Sequence, residues 1–162
     1  MALKPDRQRN KYADDITWFM NEVAQRGGVV VASTVGSGAA MDQSTNLCTY
    51  ASQPSGKMPI GVLLVDMVNK DLTQTHLNPY NGEVQQGSKV LLSAQGSVHT
   101  NMVYPGLSVT APQTAYLGPS GLLQNVYVND AATPVVGFFL SNKDEDGYYK
   151  VRYNLPNTTP RL

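Results

Sequence analysis

The chain has 162 residues, the size of a single domain, and its 12 basic and 12 acidic residues give a formal net charge of zero. That balance argues against general nucleic-acid binding, which depends on lysine and arginine neutralising phosphates. The charges are unevenly distributed, because residues 27–142 hold only eight of the 24 and the two ends hold the other sixteen. A body with so few charges must cover its surface with uncharged polar groups or bury much of that surface against a partner.

Residues 1–11 are expected to form a flexible basic arm. The segment contains Pro5, and its single acidic residue is Asp6. Its four cations are Lys4, Arg7, Arg9 and Lys11. Because the segment has no apolar core, we expect no secretory signal there. Four cations without interleaved aromatic residues predict a tether to an acidic protein patch or a weak contact with phosphate, rather than specific nucleic-acid binding.

Residues 12–26 carry an apolar pattern that predicts an amphipathic helix. The residues of its apolar stripe are Ile16, Phe19, Met20, Val23 and Ala24. The pair of glycines at 27–28 is expected to end the helix. Trp18 lies off the stripe, so we expect it either to contact a partner or to pack on a neighbouring element of its own domain.

From residue 28 onward, short apolar runs recur about every ten residues between glycine and proline turns, as in a small β-barrel or sandwich. The predicted strands are Val29–Thr34, Asn46–Ser52, Ile60–Val68, Lys89–Ala94, Ser97–Val103, Thr114–Leu117, Leu122–Val128, Val135–Leu140 and Tyr148–Leu155. The last strand alternates, with Tyr149, Val151 and Tyr153 on one face. The sequence therefore predicts a mainly β protein with one N-terminal amphipathic helix and extended terminal arms. Its parts are an arm and helix (1–27), a β-rich body (28–155) and an extended tail (156–162).

Two loops resemble ligand-binding motifs without completing them. The glycines at 36 and 38 follow a strand, but Met41 occupies the position of the third glycine in a dinucleotide-binding loop. Residues 142–147 match the first positions of a calcium loop, but Tyr153 stands where that loop needs its bidentate glutamate. We therefore interpret residues 142–147 as a solvated hairpin turn.

The residues capable of catalysis form no recognisable constellation. His76 and His99 are 23 residues apart, and neither lies near Cys48 in the sequence. Cys48 has no basic neighbour in the sequence to stabilise a thiolate, so we interpret it as an inert thiol. Asp66 and Asp71 could form a carboxylate pair, but a strand end followed by a loop accounts for both residues without a catalytic role. We assign no catalytic residue, no metal site and no cofactor, and we predict that the protein is not an enzyme.

Five motifs occur in an order that resembles capsid decoration (cement) proteins of tailed bacteriophages. They are the Pro-x-Gly-Val-Leu strand at 59–63, the Gly-x-Lys-Val strand at 87–90, the Ala-Tyr-Leu strand at 115–117, the Val-Gly-Phe strand at 136–138 and the Asp-x-x-Gly-Tyr hairpin at 144–148. The resemblance extends from residue 16 to residue 155 and leaves out the arm and the tail.

This resemblance implies a β-rich module, without catalytic residues, that binds the outer surface of a phage head and reinforces contacts between capsomers. Its expected partners are the major capsid protein and copies of itself, as a trimer in preference to a dimer because a trimer would suit a threefold position. No specific nucleic acid and no membrane are expected as partners. The protein would reside on the virion surface, and in the bacterial host cytoplasm during assembly. The expected contact residues are Lys4, Arg7, Arg9, Lys11, Trp18, Tyr80, Met102 and Tyr104.

Two other classes of function remain open at this point. One is a carbohydrate- or receptor-binding β module of a virion, whose signature would be exposed tryptophan and tyrosine side chains over a groove. The only tryptophan, Trp18, falls in the predicted helix, which counts against this class. The other is a small β-barrel hydrolase that uses His76 or His99 as a general base.

Overall fold

A computed structural model of the chain describes residues 9–10, 14–33, 46–68, 82–126 and 133–155. It shows a mainly β protein with thirteen strands in these ranges. The strands are β1 (Arg9–Asn10), β2 (Asp14–Met20), β3 (Ala24–Gln25), β4 (Val29–Ser33), β5 (Leu47–Thr49), β6 (Pro59–Val68), β7 (Glu83–Val84), β8 (Lys89–Ser93), β9 (Gln95–Thr100), β10 (Gln113–Leu117), β11 (Leu123–Gln124), β12 (Val135–Phe139) and β13 (Tyr149–Asn154). A 3-10 turn at Pro119–Gly121 precedes β11.

The strands form three sheets. Five of them close a small barrel in the order β2-β5-β4-β6-β8, and six form an open sheet in the order β1-β9-β13-β12-β10-β11. The third sheet is the short pair of β3 and β7. The chain passes from the barrel to the open sheet at Ala94, between β8 and β9, where the Ala94 carbonyl accepts a hydrogen bond from the Leu155 amide (2.7 Å).

The predicted N-terminal helix is wrong, because residues 14–20 form strand β2 of the barrel. β2 pairs antiparallel with β8 and parallel with β5, and the amide of Phe19 donates to Asn46 while that of Met20 donates to Ser88. Ile, Thr, Trp and Phe favour strands, and two neighbouring strands satisfy backbone groups that a helix would have satisfied internally. Pairing with distant strands therefore decided the conformation of this segment, although the spacing of its apolar residues fits a helix.

A bulge in β2 is organised by the Asp15 carboxylate. Its oxygens accept hydrogen bonds from the Thr17 amide (2.8 Å), the Thr17 hydroxyl (2.6 Å) and the indole N–H of Trp18 (2.9 Å). Burial by itself would raise the pKa of Asp15, but these hydrogen bonds outweigh it and hold the pKa below its usual value. The bulge between Asp15 and Trp18 is therefore stabilised by hydrogen bonds between residues that are close together in the sequence.

The continuous apolar runs of β4 and β6 are buried on both faces. Val30 and Leu63 point into the barrel, where they pack with Met20 and other apolar side chains. Their neighbours Val29 and Val62 point the other way, into a second core between the barrel and the open sheet. A strand buried on both faces needs uninterrupted apolar residues, which explains why these two runs lack alternation.

The inner face of the open sheet supplies the other half of that second core. In β13 the burial alternates as the sequence predicted, with Tyr149, Val151 and Tyr153 buried and Lys150 and Arg152 exposed. The Tyr153 hydroxyl reaches the Ser93 hydroxyl of the barrel at 2.8 Å. The open sheet is thereby fixed on the barrel, with its opposite face exposed to solvent.

Some sequence predictions concern parts of the chain outside the described residues. These are the structure of the tail at 156–162, the loop at 36–38 and the neighbourhoods of Asp71 and His76. Of the predicted basic arm, the description covers Arg9–Asn10, whose backbone pairs with Ser97 and Gly96 at the edge of β9. Within the described ranges, no helix is long and apolar enough to cross a membrane.

Candidate functional site

The outer face of the open sheet combines exposed apolar and cationic side chains. We use the name outer face for Phe138 and Leu140, which are 53% and 43% exposed, together with Lys150 and Arg152. Single exposed apolar side chains are common on protein surfaces, but two neighbouring ones beside two cations on one sheet form a surface that can contact a partner.

The strand register brings these four side chains together. Phe138 lies directly opposite Arg152, and the Leu140 amide donates to the Lys150 carbonyl at 2.8 Å. On the other side of β13, Arg152 is opposite Ser97 and Lys150 is opposite His99. None of these cross-strand neighbours is acidic, so the two cations face solvent without a carboxylate opposite them on the sheet.

A cleft of about 640 Å³ lies at one end of the open sheet. It is formed by the loop of residues 101–110 and the turn of residues 142–147, with Tyr149 of β13 also in its wall. Tyr104, which is 44% exposed, lines the cleft. The cleft and the outer face are therefore separate surfaces that share the β12–β13 hairpin.

The acidic segment 142–147 is a hairpin turn, as predicted. It joins the antiparallel strands β12 and β13, and Gly147 adopts the left-handed conformation that a tight turn requires (φ 90°). One oxygen of the Asp144 carboxylate accepts hydrogen bonds from the amides of Asp146 (3.1 Å) and Tyr148 (2.7 Å). This carboxylate therefore stabilises the turn backbone.

The predicted contact residues fall in three places. Trp18 is half-buried and packs against the barrel core, with its indole N–H bound to Asp15. Met102 and Tyr104 lie together in the loop after β9, where the Met102 amide donates to the Thr100 hydroxyl (3.0 Å). Arg9 occupies an edge position of the open sheet. The other four (Lys4, Arg7, Lys11 and Tyr80) lie outside the described residues.

The interior of the barrel holds the single cysteine. Cys48 is fully buried, and its thiol lies 3.6 Å from the Phe19 carbonyl and 3.7 Å from the Met20 sulfur. Burial, assisted by the nearby Glu22 carboxylate, raises the pKa of this thiol to about 12. His99 lies in the other sheet, on β9, so the fold separates the thiol from that potential base by placing them in different sheets.

Near this cysteine, Glu22 and Tyr50 form hydrogen bonds that hold neighbouring segments of the chain together. The Glu22 carboxylate accepts hydrogen bonds from the Thr49 hydroxyl and the Tyr50 amide, both at 2.5 Å. The Tyr50 hydroxyl donates to the Gln25 carbonyl and accepts from the Gly28 amide (3.2 Å), and burial raises its pKa. These bonds tie the segment after β2 to β5.

Native Cys48 should react with a thiol reagent such as DTNB far more slowly than the unfolded chain at pH 8. A pKa of about 12 instead of 9.0 reduces the thiolate fraction by roughly a thousandfold, and burial excludes the reagent as well. The measurement is the rate of thiol release with and without denaturant. Equal rates in the two conditions would show that the thiol is accessible in the native protein.

The sequence alone does not predict the outer face. The alternation in β13 predicts that Lys150 and Arg152 lie on the same face of the strand. The sequence does not predict which residues of the neighbouring strands lie beside them. The adjacent phenylalanines at 138 and 139 were a usable signal, since one side chain of such a pair in a strand must face away from the core.

No protein-family model matches this sequence, and no curated protein is detectably similar to it. Among the described residues, no group of three or more His, Cys, Asp or Glu side chains is arranged to hold a metal ion. The two surfaces therefore provide the basis for a functional assignment.

Proposed function

We propose that the protein is a non-enzymatic virion structural protein that binds the outer surface of a bacteriophage head and stabilises the contacts between capsomers. Its partners are the major capsid protein and further copies of itself. It acts on the outer capsid surface after synthesis in the cytoplasm of the bacterial host. The order of strand and turn motifs along the chain first suggested this function, and the outer face supports it physically.

The observation that carries the proposal is the composition of the outer face. Phe138 and Leu140 offer apolar area on a regular sheet, whose side chains are already ordered by cross-strand neighbours. Aromatic and arginine side chains are enriched at protein interfaces, and Arg152 lies directly opposite Phe138. Such a face can bind a protein surface that presents apolar side chains and carboxylates.

The distribution of charge over the body supports the same function. Only eight charged residues occur in residues 27–142, so most of the body can approach another protein without removing water from ionised groups. A protein that bridges capsomers must contact a large area on more than one subunit, and charges desolvated without a partner of opposite sign would weaken such contacts.

Purified protein should bind assembled phage shells that lack it and should raise the temperature at which those shells lose integrity. Binding to isolated shell subunits should be much weaker, because a site formed between capsomers exists only after assembly. Co-sedimentation gives the occupancy, and calorimetry or DNA release on osmotic shock gives the stability. The matched control is a shell preparation incubated with an unrelated β protein of similar size.

Two results would contradict this function. One is a shell that is equally robust with and without saturating protein. The other is the absence of saturable binding to shells from the same phage. Electron microscopy of decorated shells would in addition show whether the protein sits as a trimer at threefold positions.

A further inference from the structure

We infer that the cleft between residues 101–110 and 142–147 binds a saccharide. This function goes beyond attachment to a shell, because the cleft and the outer face are separate surfaces. Its volume of about 640 Å³ falls within the range of small-molecule sites. An oligosaccharide of two or three sugar rings has a size that suits this space.

Aromatic side chains give the cleft an apolar element suited to a sugar ring. Tyr104 lines the cleft and is 44% exposed, so a face of its ring can be covered by a ligand. Tyr149 lines the wall and is almost fully buried, and its ring packs edge-on against Phe139 with centroids 5.8 Å apart. One exposed and one buried tyrosine therefore flank the same space, and both carry a hydroxyl group.

Amide and hydroxyl groups supply the polar partners that a saccharide needs. The Asn142 side-chain oxygen accepts a hydrogen bond from the Ala111 amide at 2.8 Å, which fixes the orientation of the amide. With its oxygen engaged, Asn142 presents its NH₂ group as a donor for sugar hydroxyls. Asn101, Ser108 and Thr110 also line the cleft and are exposed, and they add groups that both donate and accept.

The charges around the cleft argue against other ligand classes. Among the described residues that line the cleft none is acidic, since Asp144, Glu145 and Asp146 belong to the turn but not to the lining, so a divalent cation in the cleft would lack the carboxylate ligands it prefers. In the part of the chain that the structure describes, Lys143 alone brings a charge to the lining, which is too little to hold the phosphates of a nucleotide. The prevalence of polar groups disfavours a lipid. A neutral or singly acidic saccharide fits this combination best.

A glycan array probed with the full-length protein should give specific hits, and calorimetry with the best one should give a measurable dissociation constant. Tyr104→Ala should weaken binding by about tenfold, since it removes the exposed ring. Asn101→Ala should weaken binding by about fivefold and leave shell attachment intact. Met58→Ala, which truncates a side chain that is 61% exposed and not part of the cleft, is the matched control.

Several outcomes would overturn the inference. An array without specific hits would do so, and so would a hit whose affinity is unchanged by Tyr104→Ala. A third is selective binding of extended peptides in place of glycans. Asn101→Ala is also tested for binding to shells. A variant that loses glycan binding but still attaches to shells would show that the two functions are separate, so that one can fail without the other.

Discussion

Phe138→Asp should lower the affinity of the protein for assembled shells by about tenfold or more, equivalent to about 1.4 kcal/mol. The substitution places a carboxylate in the apolar centre of the outer face, directly opposite Arg152. Removal of the ring eliminates buried apolar area in the complex, and the new carboxylate can pair with the cation that would otherwise bind the shell. Because Phe138 is 53% exposed, the variant should still fold, and co-sedimentation at increasing protein concentration measures the change.

The control for this prediction is the same substitution at a different exposed apolar residue. Met58 is 61% exposed and precedes β6 of the barrel, so Met58→Asp introduces the same charge and also removes an exposed apolar side chain, but away from the outer face. Arg152→Glu tests separately how much the positive charge of Arg152 contributes to the affinity for shells. Equal shell affinity of Phe138→Asp and Met58→Asp would show that the outer face does not form the contact.

Gly137→Ala should destabilise the protein by about 3 kcal/mol and lower its melting temperature by about 6 to 12 °C. Gly137 lies in β12 between β10 and β13, where it pairs with Ala115 and Tyr153. A β-carbon at this position would lie 1.9 Å from the Arg152 carbonyl oxygen and 2.9 Å from the Tyr153 Cα. Both atoms belong to the backbone of β13, so relief of the contact requires the two strands to separate. Thermal unfolding followed by circular dichroism measures the effect.

Gly56→Ala is the matched control for this stability prediction. Gly56 has a positive φ of 69°, and an added β-carbon would meet no atom within 4 Å. Its cost should therefore be the conformational strain alone, about 1 kcal/mol. A Gly137→Ala variant no less stable than Gly56→Ala would mean that β12 and β13 are not packed as closely as described.

The hairpin of β12 and β13 is the part of the fold that the sequence predicts best. The sequence predicts β12 and β13 to within one residue of their bounds, because the turn at residues 142–147 separates them and apolar alternation marks β13. β4 and β6 were also expected, since their long apolar runs suit strands. In each case the signal is local, so it can be read without knowledge of the strand's partners.

The segment from residue 14 to residue 20 shows the limit of that reasoning. Its apolar spacing fits a helix, whereas its residue types favour a strand. The outcome depends on pairing with β8, about 70 residues later, and with β5, about 30 residues later. The candidate surfaces depended on long-range pairing in the same way. The sequence predicts Tyr104 as a contact residue, but the turn that completes the cleft around Tyr104 approaches it only in the folded protein.

The sequence by itself determined that this protein is mainly β, where most of its strands lie and which residues of β13 face outward. These properties follow from side-chain periodicity and turn residues, which act over a few neighbouring positions. Only the tertiary structure decided that residues 14–20 close a barrel, that Phe138 lies beside Arg152 and that two loops enclose a cleft. Each of these depends on strand order and register, which arise from the packing of all the strands together.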